Sequence, residues 1–186
     1  RDLMMQEAKI DTFGVGERLI TAKSAPVFGG VYKLAAVEDE QGNIIPKIKI
    51  SENTAKITNP HYKKLYRFYD NESGKALADE LCVYDETIDS TKPHTIFDPD
   101  AIWKTKTLTD YTARELHVTV FKNGELVYKQ PSLYEIRIYC AEQLETLWDE
   151  VKRFENPHTY YVDLSKKLWD IKNALLEKSK DGKDLK

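Results

Sequence analysis

Lys64-Leu65-Tyr66-Arg67-Phe68-Tyr69 and Ala76-Leu77-Ala78-Asp79-Glu80-Leu81-Cys82-Val83-Tyr84 stand on either side of Asn71-Glu72-Ser73-Gly74-Lys75. The flanking runs are rich in aromatic, β-branched and other apolar residues. The segment between them is polar and carries a glycine free to take a positive φ, so the whole reads as a β-hairpin. Further along, Glu115-Leu116-His117-Val118-Thr119-Val120-Phe121 and Glu125-Leu126-Val127-Tyr128 bracket Lys122-Asn123-Gly124. Asn-Gly supplies the two positive-φ residues of a type I′ turn, and a second hairpin is predicted there. Upstream, Ile44 to Ser51 alternates after Pro46, following the turn-like Glu40-Gln41-Gly42-Asn43, and reads as a half-exposed strand. Val31 to Glu38 reads as another. Residues 85–112 hold Pro93 and Pro99 among Thr and Asp with little periodicity, and are predicted to form a long loop over the sheet, anchored by Trp103.

The C-terminal third changes period. Ser132-Leu133-Tyr134-Glu135 is a capping box, in which a hydroxyl and a carboxylate satisfy reciprocal N-terminal amides. Leu133, Ile136, Cys140, Leu144, Leu147, Val151 and Phe154 then recur every three or four residues, predicting a five-turn amphipathic helix stopped by Asn156-Pro157. A second helix is expected from about Asp163, with Leu164, Leu168, Ile171 and Leu175 on one face. Lys178 to Lys186 is polar and reads as a frayed tail. At the other end, Arg1 to Lys9 has helix-forming composition with neither an initiating Met nor an N-cap. It is followed by the short stretch Lys9 to Phe13, a glycine turn at Gly14-Val15-Gly16 and a further helical stretch at Glu17 to Thr21. That is the rhythm of an α/β unit, and the opening reads as the tail end of a longer protein.

Composition narrows the function. Lys+Arg 28 against Asp+Glu 31 in 186 residues leaves a net charge of -3, so no basic surface is available to neutralise a phosphate backbone and nucleic acid is not the expected partner. The absence of a long apolar run or a signal-peptide order in the sequence leads to the expectation of a cytoplasmic chain without a membrane partner. Cys82 and Cys140 have no paired spacing and are expected to be reduced. His61, His94, His117 and His158 share no ligand spacing, so no metal site is indicated. His117 reads as a cross-strand or surface residue rather than a base. Asp85, Glu86, Asp89 and Asp98-Pro99-Asp100 lack a calcium-loop pattern and read as solvated. Tyr66, Tyr69, Tyr160 and Tyr161 read as packing residues rather than a stacking platform for bases.

One stretch suggests chemistry. Gly14-Val15-Gly16-Glu17 lets backbone amides approach an anion ahead of a helix start. It has neither the third glycine of a dinucleotide fingerprint, since Leu19 stands there, nor a P-loop Gly-Lys-Ser/Thr. Out of context such a Gly-x-Gly, like Gly29-Gly30, reads as a turn. The residues alone therefore yield one anion loop and no catalytic set.

Ile10-Asp11-Thr12-Phe13-Gly14-Val15-Gly16-Glu17-Arg18-Leu19-Ile20-Thr21, followed by Pro26-Val27-Phe28-Gly29-Gly30-Val31-Tyr32-Lys33-Leu34, resembles nicotinate phosphoribosyltransferases. Pro46 to Asn53 and Trp148 to His158 are similar to that family's C-terminal region. Phe121 to Gly124 and Ser132 to Arg137 are similar to the tail of the related nicotinamide enzyme. The resemblance implies an α+β piece. Residues 1–38 would be the terminal strand and phosphate loop of an incomplete α/β barrel, 39–131 a domain of antiparallel β-hairpins, and 132–186 two C-terminal helices and a polar tail.

The family makes nicotinate mononucleotide and pyrophosphate from nicotinate and phosphoribosyl pyrophosphate in NAD salvage. ATP hydrolysis, with Mg2+, is coupled through a phosphorylated histidine. By the resemblance that histidine and the main substrate contacts lie upstream of this chain, the full enzyme is a homodimer, and these 186 residues alone are inactive and bind no cofactor. Amides around Gly14, Gly16 and Glu17 would hold the 5′-phosphate. Many relatives carry Thr where this chain has Glu17, whose carboxylate would repel a phosphate, so Glu17 is expected to serve only as a main-chain donor. The alternative is a non-catalytic docking module whose amphipathic helix stays exposed. The first reading buries that stripe within the chain, and the second leaves it exposed.

Overall fold

The computed structural model describes residues 2–27 and 29–180, which divide into two compact units, 1–33 and 34–186. The first unit holds two one-turn helices, α1 (Asp2–Met5) and α2 (Glu17–Ile20). The strand expected within Lys9 to Phe13 does not form, and no described residue before position 34 is buried. Without a neighbouring strand or a covered face, the two apolar residues Ile10 and Phe13 cannot offset the entropy of ordering an isolated strand.

The second unit is mixed α and β. Its first hairpin pairs β1 (Ala36–Glu38) with β2 (Ile44–Pro46), so the strands expected over 31–38 and 44–51 are each cut to three residues. Asp39 closes the turn by accepting the amides of Gln41 and Asn43. After a 3₁₀ turn at Thr54–Lys56, the central hairpin joins β3 (Lys63–Asp70) to β4 (Ala76–Val83) in the manner expected. Asp70 accepts the amide and hydroxyl of Ser73, and Gly74 takes φ 67°.

Residues 85–112 are not a loop. They form β5 (His94–Asp98), β6 (Ala101–Leu108) and the start of β7 (Tyr111–Glu115), with Pro99 in the turn between β5 and β6. Trp103 anchors nothing, being 77% exposed on β6. The small strands β8 (Phe121–Lys122) and β9 (Glu125–Leu126) flank Asn123 and Gly124 at φ 51° and 82°, as a type I′ turn requires. Helix α3 (Leu133–Glu145) starts at the capping box, with Ser132 Oγ accepting the Glu135 amide and Glu135 accepting the Ser132 amide.

α3 ends two turns before Phe154. Ala76 N donates to Thr146 O at 2.7 Å, Trp148 Nε1 donates to Ala76 O at 3.0 Å, and Lys75 Nζ donates to Glu145 O at 2.5 Å. These bonds to the start of β4 and to Lys75 before it hold the chain in a turn where periodicity alone would continue the helix. The expected burial of the stripe also fails, since no residue of α3 is buried. Strand β10 (Val162–Leu164) and helix α4 (Lys166–Lys180) complete the unit, so the second helix begins three residues after Asp163. Of the expected polar tail, 178–180 belong to α4 and 181–186 lie outside the described residues.

The sheet order is β10-β4-β3-β7, with β10 parallel to β4 and the other pairs antiparallel. One core cluster joins Phe68, Ala78 and Tyr111 to Ile96 and Leu108 of the β5–β6 hairpin. A second joins Val83, Leu164 and Leu168, seating α4 on the sheet. Ser165 caps α4 by accepting the Leu168 amide and itself donates to Glu86, which also accepts the Val83 amide at 2.6 Å. One carboxylate thus ties the helix start to the end of β4.

Candidate functional site

In the first unit, Phe13 to Leu19 line an open depression. Gly14 and Gly16 do not take positive φ, and a methyl group built on either meets nothing within 4 Å. The tight-turn reason for these glycines is therefore missing here, and what they leave is bare backbone facing outward. The amides of Gly14, Gly16 and Glu17 donate to no acceptor among the described residues. Glu17 opens α2, with its carbonyl accepting from the amide and hydroxyl of Thr21. A four-residue helix adds little dipole, so any anion affinity rests on the amides themselves.

In the second unit the sheet carries two polar groupings. On one face Arg67 Nε and Nη2 donate to Asp79 Oδ1 and Oδ2 at 2.8 and 2.9 Å, and Tyr160 Oη donates to Asp79 Oδ1 at 2.8 Å. Burial, then the Asp79 carboxylate, raises the Tyr160 hydroxyl well above its ordinary value, and the same carboxylate raises the Arg67 guanidinium. Arg114 lies 5.5 Å over the Tyr69 ring and donates to Gln143. These contacts make Tyr69 and Tyr160 packing residues, as the sequence reading holds; Tyr66 lies in the core, and Tyr161 is half exposed.

On the other face His94 Nε2 lies 2.8 Å from Glu80 Oε2, and Cys82 Sγ donates to the same oxygen at 3.4 Å. A histidine oriented by a carboxylate is half of a base-nucleophile arrangement, yet burial raises the Cys82 thiol far above its normal value. His94 stacks on Phe68 at 5.1 Å and serves the core. Two more histidines serve backbone hydrogen bonds. His61 Nδ1 accepts the Tyr62 amide, and His117, beyond the end of β7 rather than in a strand, accepts the Leu65 amide with Nδ1. Cys82 is buried and Cys140 exposed, both free. Sequence reasoning missed both groupings. The first was accessible from the hairpin, because period-two alternation places Arg67 and Asp79 on one face and the register sets them opposite each other.

The described residues thus define an α+β domain with two buried polar groupings, Arg67–Asp79–Tyr160 and His94–Glu80–Cys82, and a separate glycine loop whose amides are unpaired. Residues 62–172 match the family model described as the nicotinate phosphoribosyltransferase C-terminal domain. The chain belongs to that family. The nicotinate phosphoribosyltransferase of Bacillus subtilis (strain 168) is 39% identical over 171 residues, covering 92% of this chain and 35% of the relative. That of Dictyostelium discoideum is 33% identical over 192 residues, covering 99% and 32%. The crystal structure of human nicotinic acid phosphoribosyltransferase superposes with a TM-score of 0.58 at 26% identity, over 64% of this chain and 24% of that one. The chain therefore spans about a third of the length of the curated relatives it matches.

Proposed function

We propose that this chain is the C-terminal part of an enzyme that transfers the phosphoribosyl group of phosphoribosyl pyrophosphate to nicotinate, and that its share of the chemistry is one phosphate loop. The observation that carries this reading is the match of residues 62–172 to the family's C-terminal domain, in a chain that spans about a third of its relatives' length. Leu19, Ile20 and Tyr32 in the first unit are 72%, 79% and 91% exposed, and every residue of α3 is at least partly exposed, including Leu133 and Leu144. So many exposed large apolar side chains call for covering protein. A catalytic barrel supplied by the rest of the enzyme would cover the first unit, while the exposed stripe of α3 is the outcome the docking reading expects. In the full enzyme, the amides of Gly14, Gly16 and Glu17 donate to the 5′-phosphate, while the Glu17 carboxylate turns outward. Glycine at both positions lets the oxygens come close to the backbone.

ATP coupling, its Mg2+ and the phosphorylated histidine belong to the same reading. Among the described residues no three His, Cys, Asp or Glu side chains converge to hold an ion. By the same reading the phosphorylated histidine and the main nicotinate contacts belong to the barrel, and the full enzyme is a homodimer. No described helix is long and apolar enough to cross a membrane. The loop assignment is tested by Gly16→Pro and Glu17→Ala in the full enzyme. Gly16→Pro removes one donor and should raise KM for phosphoribosyl pyrophosphate about tenfold, in line with the loss of a charge-assisted hydrogen bond, while Glu17→Ala keeps its amide and should leave KM near the parent value. An unchanged KM in Gly16→Pro removes the loop from the site.

A further inference from the structure

Between the β5–β6 hairpin and the edge where β10 joins β4 lies a cavity of about 240 Å3. Its walls are the side chains of Leu77, Ile96, Phe97 and Tyr161, and its polar groups are Asp98 and Asp163. Asp163 is 4% exposed, and its carboxylate receives no hydrogen bond and forms no ion pair with any described residue. That is unusual in a domain whose other buried carboxylates are fully engaged, Asp79 by Arg67 and Tyr160 and Glu80 by His94 and Cys82. A buried carboxylate without protein donors depends on what its cavity supplies, and the Asp163 oxygens stay open to that cavity: among the described residues the fully enclosed side-chain polar atom without a partner is Tyr69 Oη, not either of them. Lys104 and Lys106 of β6 stand at the same cavity, but Lys104 Nζ is held by Asp98 at 3.6 Å, and neither lysine pairs with Asp163.

We propose that this cavity is a binding site for a small organic monocation, a primary ammonium on a short apolar body, whose head donates to Asp163 with Asp98 beside it and whose body lies against Leu77, Ile96, Phe97 and Tyr161. An ammonium supplies both the positive charge and the three N–H donors that Asp163 lacks. The apolar walls suit an alkyl or phenylalkyl chain. The two lysines set the selectivity, since a second positive charge at the outer end of the ligand would meet Lys104 and Lys106 and be repelled. The groups facing Asp163 are Asp98 from β5, Glu80 from β4 and the two lysines from β6. Burial first, then Asp98 and Glu80, holds the Asp163 carboxyl up to about 6, and an ammonium at hydrogen-bonding distance would draw it down.

The test uses the 186-residue chain with n-butylammonium as the probe, n-butanol as its neutral counterpart and 1,4-diaminobutane as the dication. The readout is the 13C titration of the Asp163 carboxyl together with amide shifts of β5, β6 and β10. Butylammonium should bind saturably and lower the Asp163 midpoint, butanol should do neither, and the diamine should bind several-fold more weakly. Asp163→Asn should weaken butylammonium binding about tenfold or more. Leu77→Phe, which fills the cavity and leaves both carboxylates, should weaken it comparably. The proposal is overturned if butylammonium leaves the Asp163 midpoint unmoved, if butanol binds equally well, or if both variants bind as the parent does.

Discussion

The Arg67–Asp79–Tyr160 grouping gives the sharpest stability test of the fold. Asp79→Ala removes the acceptor of three hydrogen bonds at 2.8, 2.9 and 2.8 Å. The Arg67 and Asp79 side chains are 21% and 6% exposed, so the guanidinium left behind can rehydrate only in part. Removing one partner of a buried pair costs about 3–5 kcal/mol, and the residual exposure of Arg67 places this case near the low end, at about 3 kcal/mol. Arg67→Met, which strands the carboxylate, should cost a similar amount. Tyr160→Phe loses one bond to a charged acceptor while its ring stays packed, and should cost about 1.5 kcal/mol. The double variant Arg67→Met/Asp79→Leu removes both charges together and should lose only about 2 kcal/mol, far less than the roughly 6 kcal/mol sum of the single changes. Urea unfolding of each variant, followed by the fluorescence of Trp148 and Trp169, measures these values. Both indoles bond to the second unit, through Ala76 O and Pro99 O. An Asp79→Ala loss below about 1 kcal/mol, or a double variant as unstable as that sum, would refute the reasoning.

Two further outcomes follow from single sites. Asp163 is raised from 3.8 to about 6 in the folded chain, so the folded state holds a proton that the unfolded state has released. The contribution of Asp163 to stability is therefore greatest below pH 4 and is lost as pH rises through 6; Asp163→Asn should remove that contribution from the pH profile and add about 1–3 kcal/mol at pH 7, read from the difference in urea midpoints between variant and parent across that range. Ser132→Ala breaks the capping box of α3 and should cost about 1 kcal/mol of local stability, measured as faster amide exchange in the first turn of the helix with the β3–β4 hairpin unchanged.

The elements that could be read from the sequence carry their own local chemistry. Asn123-Gly124, Gly74 with its polar neighbours, and Ser132 with Glu135 each satisfy their backbone groups within a few residues, so the sequence specifies them without help. What could not be read depends on distant partners. β5 and β6 lack strong alternation because both faces of β6 are exposed from Ile102 to Thr107, and the hairpin is held by Ile96 and Leu108 entering a core built around Phe68. β10 is three residues long and exists because β4 offers it a parallel edge. The end of α3 is set by bonds to Ala76 and Lys75, some seventy residues away. The glycine loop from Gly14 to Glu17 shows the opposite case, a motif visible in sequence whose amides have no partner among the described residues. Asp163 carried no signal in sequence, because its isolation is a property of the cavity around it.

The central claim, that this chain is one part of a phosphoribosyl transfer enzyme and supplies a loop but no catalytic set, is tested most directly by steady-state turnover. The 186-residue chain is assayed with nicotinate, phosphoribosyl pyrophosphate and Mg-ATP beside a full-length enzyme of the family. A single anion loop cannot position two substrates, so the chain alone should form no nicotinate mononucleotide above background while the full-length enzyme turns over. Turnover by the chain alone comparable to that of the full-length enzyme would contradict the account.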